Sequence, residues 1–138
     1  MKKIIHHKYM ENMDWFDSLN KPFLNPPDWI FTPVWIVLYI MMFFSLFLFL
    51  KSRKNESKKI PLIFFLIQLG LNFAWTPVFF GLKNILFGYI IIVLMYIFLI
   101  LTIITFFRHS KIASLLLLPY LLWISFAAYL NLGFLVLN

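Results

Sequence analysis

Cysteine is absent from this chain, which excludes a disulfide framework, a thiolate metal site and a cysteine nucleophile. Charge is scarce too, at 12% of the 138 residues. The carboxylates Glu11, Asp14, Asp17, Asp28 and Glu56 all lie outside the long apolar stretches. Proton-coupled antiporters and cation channels usually place an acid within the membrane, and hydrolases often pair two. This chain offers neither arrangement. His6, His7 and His109 occupy a tail and a turn, and adjacent histidines rarely converge on one ion without further ligands, so no metal site is expected. The only early apolar pair, Ile4 and Ile5, is too short for a signal-peptide core, so no cleaved leader is expected.

What remains is hydrophobic: 63% of the residues, with a mean hydropathy of +0.91. A soluble single domain of this size could not hide that much apolar surface. The net charge of +7 would suggest nucleic acid in a soluble protein, but the basic residues cluster between apolar stretches and near the N-terminus. They read as topology determinants and contacts to anionic lipid, and no nucleic-acid partner is expected. Four apolar stretches, about 29–50, 61–80, 84–107 and 112–137, each reach the length of helix that crosses a bilayer core. The fold class expected is therefore all-α: an integral membrane bundle of four transmembrane helices over residues 21–138, preceded by a polar segment, residues 1–20.

The connectors have distinct characters. Trp15, Phe16 and Leu19 could rest one helical face on the membrane interface, or the segment could be a disordered tail. Residues 21–28 include Pro22, Pro26 and Pro27 and predict a stiff, extended loop. Asp28 could cap the first helix, or Thr32 could do so with Pro33 at its first position; an earlier start would let Pro33 kink it. The short turn at Leu82, Lys83 and Asn84 makes the second and third spans antiparallel neighbours. Pro119 interrupts the last span and predicts a bend. An even number of spans puts both termini on one side with Lys2, Lys3, Lys8, Lys21 and Lys83. Lys51, Arg53, Lys54, Lys58, Lys59, Arg108 and Lys111 lie on the other, which the positive-inside rule favours as cytoplasmic.

Three spans carry mixed aromatic and amide stripes at helical spacing. Trp35 and Tyr39 share a face of the first. Gln68, Asn72, Trp75 and Phe79 line the second, and Tyr120, Trp123, Ala127 and Asn131 the last. An amide facing lipid would cost several kcal/mol, so the stripes are expected to face inward. They could bound a pocket for a flat, mostly apolar ligand with a few acceptors, stacked on indole and phenol rings and bonded by the Asn72 amide and indole N–H groups. Equally, they could simply pack and bond across helices. Gly70 and Ala74 form a small-xxx-small pair that could let helices approach within the chain or between protomers.

These residues resemble the TspO/MBR family of tryptophan-rich sensory and translocator proteins. Lys21-Pro22, Pro26-Pro27, Trp29, Phe31, Val34-Trp35 and Leu38-Tyr39 are similar to its proline and tryptophan signature. Gln68, Leu71-Asn72, Trp75 and Phe79-Phe80 resemble its next span, and Pro119-Tyr120, Trp123, Phe126-Ala127 and Leu130-Asn131 its last. The resemblance implies a helical bundle, often a homodimer, that binds tetrapyrroles such as protoporphyrin IX and needs no cofactor beyond that ligand. It implies ligand contacts from Trp35 and Asn72, further pocket positions at Tyr39, Trp75, Phe79, Trp123 and Ala127, and a roof from the loop at 21–28 with Pro26 and Pro27. Light- and oxygen-dependent porphyrin degradation has been proposed for some members, and stacked indoles at Trp35 and Trp123 would be its candidates here. Phe16 stands where the family often has tyrosine and Leu24 where it often has an aromatic. The family's usual span before the loop has no counterpart, so either the pocket is open on one flank or a true start lies upstream. Tyr129 is followed by no basic residue, so sterol binding is not implied. A bacterial cytoplasmic membrane is expected, or the mitochondrial outer membrane in a eukaryote.

Overall fold

The computed structural model describes residues 15, 18–22, 28–52 and 57–138, and every described regular element is helical. A turn of 3-10 helix, Asp28–Ile30, leads into α1, Phe31–Lys51. α2, Lys59–Thr76, ends in a π-helical turn, Pro77–Gly81; α3 is Ile85–Phe107; a short α4, Lys111–Leu116, precedes α5, Leu118–Leu137. Four segments, Phe31–Lys51, Lys59–Gly81, Ile85–Phe107 and Lys111–Leu137, are long and apolar enough to cross a membrane. Side chains such as Ile36, Ile40, Phe43, Phe44 and Phe47 on α1 are exposed. Apolar residues on both the inner and outer faces are what a helix between protein and lipid requires.

The helices begin and end where local chemistry allows. The N-cap of α1 is Ile30, whose side chain makes no capping bond; Thr32 lies inside the helix rather than at the expected cap, and the Asp28 side chain lies outside what the structure describes. Pro33 instead sits in the first turn, where its missing N–H would have had no intrahelical partner. At the other end of α1, Lys58 Nζ donates to the Leu50 and Ser52 carbonyls at 2.6 and 2.5 Å, matching a cation to the negative end of the helix. Lys83 adopts a left-handed φ of 52° between the second and third spans, and the Asn84 side chain then caps α3 by accepting from Phe87 N–H at 3.0 Å.

The expected interruption at Pro119 is present as a break at Leu117. Leu117 N–H donates to Ser114 O at 3.1 Å, tightening the turn and leaving the Ala113 carbonyl without its usual partner. Ser45 Oγ, from α1, donates to that carbonyl at 2.6 Å. Ser114 Oγ meanwhile donates to Ile103 O of α3 at 2.8 Å. The broken span is thus pinned to α1 through the carbonyl its break frees and to α3 through the neighbouring Ser114 hydroxyl.

α2 packs most extensively on α3, α3 also on α4 and α5, and α1 mainly on α4. α1 and α2 meet chiefly through side chains: Tyr39 with Asn72, Met42 with Gln68, and the Tyr39 ring on Phe73. Below this meeting, Phe49, Phe106 and Phe65 stack in parallel, with centroids 4.0 and 5.8 Å apart. Gly70 has open space where a Cβ would stand, so the Gly70–Ala74 pair makes no close helix approach within the chain. Trp15 and Leu19 pack on the Phe79, Leu130 and Phe134 cluster rather than facing away from the bundle.

Candidate functional site

A cavity of about 590 Å³ lies between α1, α2, the π-helical turn, α3 and α5. Trp35, Tyr39, Asn72, Trp75, Phe79, Trp123 and Ala127 all line it. Spacing put each of these on an inward stripe, and the fold brings the stripes to one hollow. Pro26 and Pro27 lie outside the described residues, as do Phe16, Leu24, His6 and His7. Most of the loop expected to roof the pocket is therefore also outside them.

Indoles and phenols dominate the wall from α1 and α5. The Trp35 and Trp123 rings stand perpendicular, centroids 6.3 Å apart at 89°. Tyr39 lies 5.7 Å from Trp35, and Phe31 5.6 Å from Trp123. A second aromatic group comes from α2 and the π-helical turn, where Trp75 stacks on Phe79 at 5.0 Å and 18°. The wider π turn follows from Pro77, which cannot donate the usual backbone bond, and it places both Phe79 and Phe80 on the cavity.

Polar atoms are few, and most are committed. Tyr39 Oη donates to Asn72 Oδ1, and Asn72 Nδ2 donates to Tyr120 Oη at 2.6 Å. Trp75 Nε1 donates to Asn131 Oδ1 at 3.1 Å, and Asn131 Nδ2 to Ala127 O at 2.7 Å. The Asn72 amide, expected to face a ligand, is therefore also a strut between helices. Trp123 differs, because its indole N–H is buried without a hydrogen-bond partner. A buried donor of that kind costs about 1–3 kcal/mol until something accepts from it. Among the described residues no group of three or more His, Asp or Glu side chains could hold a metal ion.

Sequence reasoning passed over several contributors. Asn131 was visible on the α5 stripe, but its role as acceptor for Trp75 depends on the tertiary fold. Gly88 gave no signal at all. A Cβ there would stand 3.0 Å from Phe79 Cδ2 and 3.5 Å from Trp75 Nε1, so glycine in α3 seats the second aromatic group. Near the C-terminal end of α5, a Cβ on Gly133 would stand 2.4 Å from Pro22 Cβ. Pro22 lies directly on that helix. Beside it, Asn20 N–H donates to Asn138 Oδ1 and Asn138 Nδ2 to Asn20 O, both at 3.0 Å.

Comparison with known proteins agrees with this architecture. The TspO/MBR family profile matches residues 3–137. The tryptophan-rich protein TspO of Chlorobaculum tepidum is 49% identical over 126 residues, covering 90% of this chain and 79% of the relative. That of Archaeoglobus fulgidus is 44% identical over 124 residues, covering 90% and 80%. The human translocator protein is 34% identical over 123 residues, covering 88% and 73%. An aromatic hollow among four apolar helices and a family match along nearly the whole chain lead to one conclusion: this protein is a membrane protein of the TspO/MBR family.

Proposed function

We propose that the cavity binds a tetrapyrrole such as protoporphyrin IX, and that the protein senses, regulates or handles porphyrin in a membrane. The observation that carries this reading is an aromatic cavity of about 590 Å³ walled by Trp35, Tyr39, Trp75, Phe79 and Trp123. Such a volume lies within the range of small-molecule pockets. Two aromatic groups suit the faces of a flat macrocycle. Porphyrin is the ligand in this reading, and no further cofactor is required. Higher identity to the Chlorobaculum and Archaeoglobus proteins than to the human one supports a prokaryotic cytoplasmic membrane. The outward-facing Gly70 offers a surface for close approach in a homodimer.

Titration of the purified protein with protoporphyrin IX, followed by tryptophan quenching in the dark and in light, tests the reading. Saturable quenching in the dark is expected, and its absence would remove it. Loss of indole and porphyrin absorbance only under light and oxygen would add photochemical turnover at Trp35 and Trp123. A second reading, transport of porphyrins or other amphiphiles, is favoured by the name of the translocator relatives. It requires net porphyrin movement across proteoliposomes, and zero flux would eliminate it.

A further inference from the structure

A line of buried polar groups runs inward from the cavity, and every donor in it points the same way. Tyr39 Oη donates to Asn72 Oδ1. Asn72 Nδ2 donates to Tyr120 Oη at 2.6 Å, Tyr120 Oη to Gln68 Oε1 at 2.9 Å, and Gln68 Nε2 to Met42 Sδ at 3.7 Å. Tyr39 and Asn72 line the cavity. Tyr120, Gln68 and Met42 are fully buried.

The closed end decides the direction. A thioether has lone pairs and no proton to give, so it can only accept. Facing Met42, Gln68 must present its NH₂ and turn its carbonyl oxygen to Tyr120. Tyr120 must then donate to Gln68 and accept from Asn72, which turns the Asn72 oxygen to Tyr39. Met95 Sδ, 3.5 Å from Tyr120 Oη, is a second group that can only accept and so reinforces the order. Tyr39 spends its one proton on Asn72 and is left with lone pairs toward the cavity. Reversal would require both amides to flip and would set Gln68 Oε1 against sulfur.

We infer that Met42, through Gln68, Tyr120 and Asn72, makes the Tyr39 hydroxyl oxygen a hydrogen-bond acceptor, so that the cavity selects flat ligands bringing an uncharged O–H or N–H to that point. The inference rests on the proposed ligand cavity. A carboxylate at Tyr39 would meet only lone pairs. Gln68, Tyr120 and Met42 are positioning residues, since each acts through the next.

A matched pair of flat probes, 2-naphthol and 2-methoxynaphthalene, tests this on the full chain in detergent, with affinities corrected for micelle partitioning and protoporphyrin IX titrated in parallel. Naphthol is expected to bind about three- to tenfold tighter, as one neutral hydrogen bond allows. Met42→Leu combined with Met95→Leu, each close in volume and without sulfur lone pairs, removes both obligate acceptors and is expected to bring the two probes within about twofold. Tyr39→Phe should do the same. In ligand-free protein, the isotope-edited C–O stretch of Tyr39 should read as a hydroxyl donor and shift in the double variant, a change that lost packing alone does not produce. Equal binding of both probes by wild type that still binds porphyrin overturns the polarity and leaves the cavity reading standing. So does full discrimination in the double variant with an unshifted band. Binding of neither porphyrin nor naphthol overturns both.

Discussion

At the scale of single residues, the tryptophans of the cavity are not equivalent. Trp75 has given its proton to Asn131, whereas Trp123 holds its own unused. Trp123→Phe is therefore expected to weaken protoporphyrin IX binding about three- to tenfold by trimming the aromatic wall, while loss of an unsatisfied buried donor offsets part of the packing lost with the larger ring. Quenching titration and thermal unfolding in detergent check the two halves. Gly88→Ala should weaken binding in the same titration, since the added methyl, 3.0 Å from Phe79 Cδ2, makes that ring shift against the cavity. The inward direction of Gln68, Asn72, Trp75 and Trp123 was legible from helical spacing and the penalty for an amide in lipid. Which atom each amide would engage was not, because the partners come from other helices. Gly88 was illegible because a glycine inside an apolar run looks the same whether it seats a ring or faces lipid.

At the scale of elements, hydropathy placed the four spans to within a few residues, since length and apolarity alone decide what can cross a bilayer. Their local irregularities were harder to read. Pro119 announced a break but not its repair, in which Ser45 satisfies the Ala113 carbonyl. Ser45→Ala is expected to destabilise the bundle by about 1 kcal/mol, through an orphaned carbonyl in a dry interior. Reversible unfolding in mixed micelles measures it, and Ser45→Thr should recover most of the loss. The π-helical turn after Pro77 was also hidden, because sequence marks the missing donor without saying how the chain widens around it. Trp15 and Leu19 read as a face for the membrane interface; the hydrophobic cluster at Phe79 and Phe134 takes them instead.

At the scale of the whole molecule, the described segment at residues 18–22 and the C-terminal Asn138 meet at one end, as an even number of spans demands. Lys83 shares that end, while Lys51, Lys58, Lys59, Arg108 and Lys111 lie at the other. Because the chain has no cysteine, single-cysteine variants give an unambiguous reading of sidedness. An impermeant maleimide applied to intact cells is expected to label Lys83→Cys and spare Lys59→Cys, as the excess of basic residues directs. The opposite pattern would invert the orientation.

The seam between α1 and α2 has a consequence for how any affinity must be measured. Phe73 both lines the cavity and is 60% exposed on a helix apolar and long enough to cross a bilayer, so the hollow is expected to open toward hydrocarbon beside it. An apolar guest arriving there is drawn from a lipid reservoir, and its activity is its mole fraction among acyl chains. A dissociation constant quoted per litre of buffer should rise in proportion to added phospholipid, whereas the same constant quoted per mole of lipid should stay fixed.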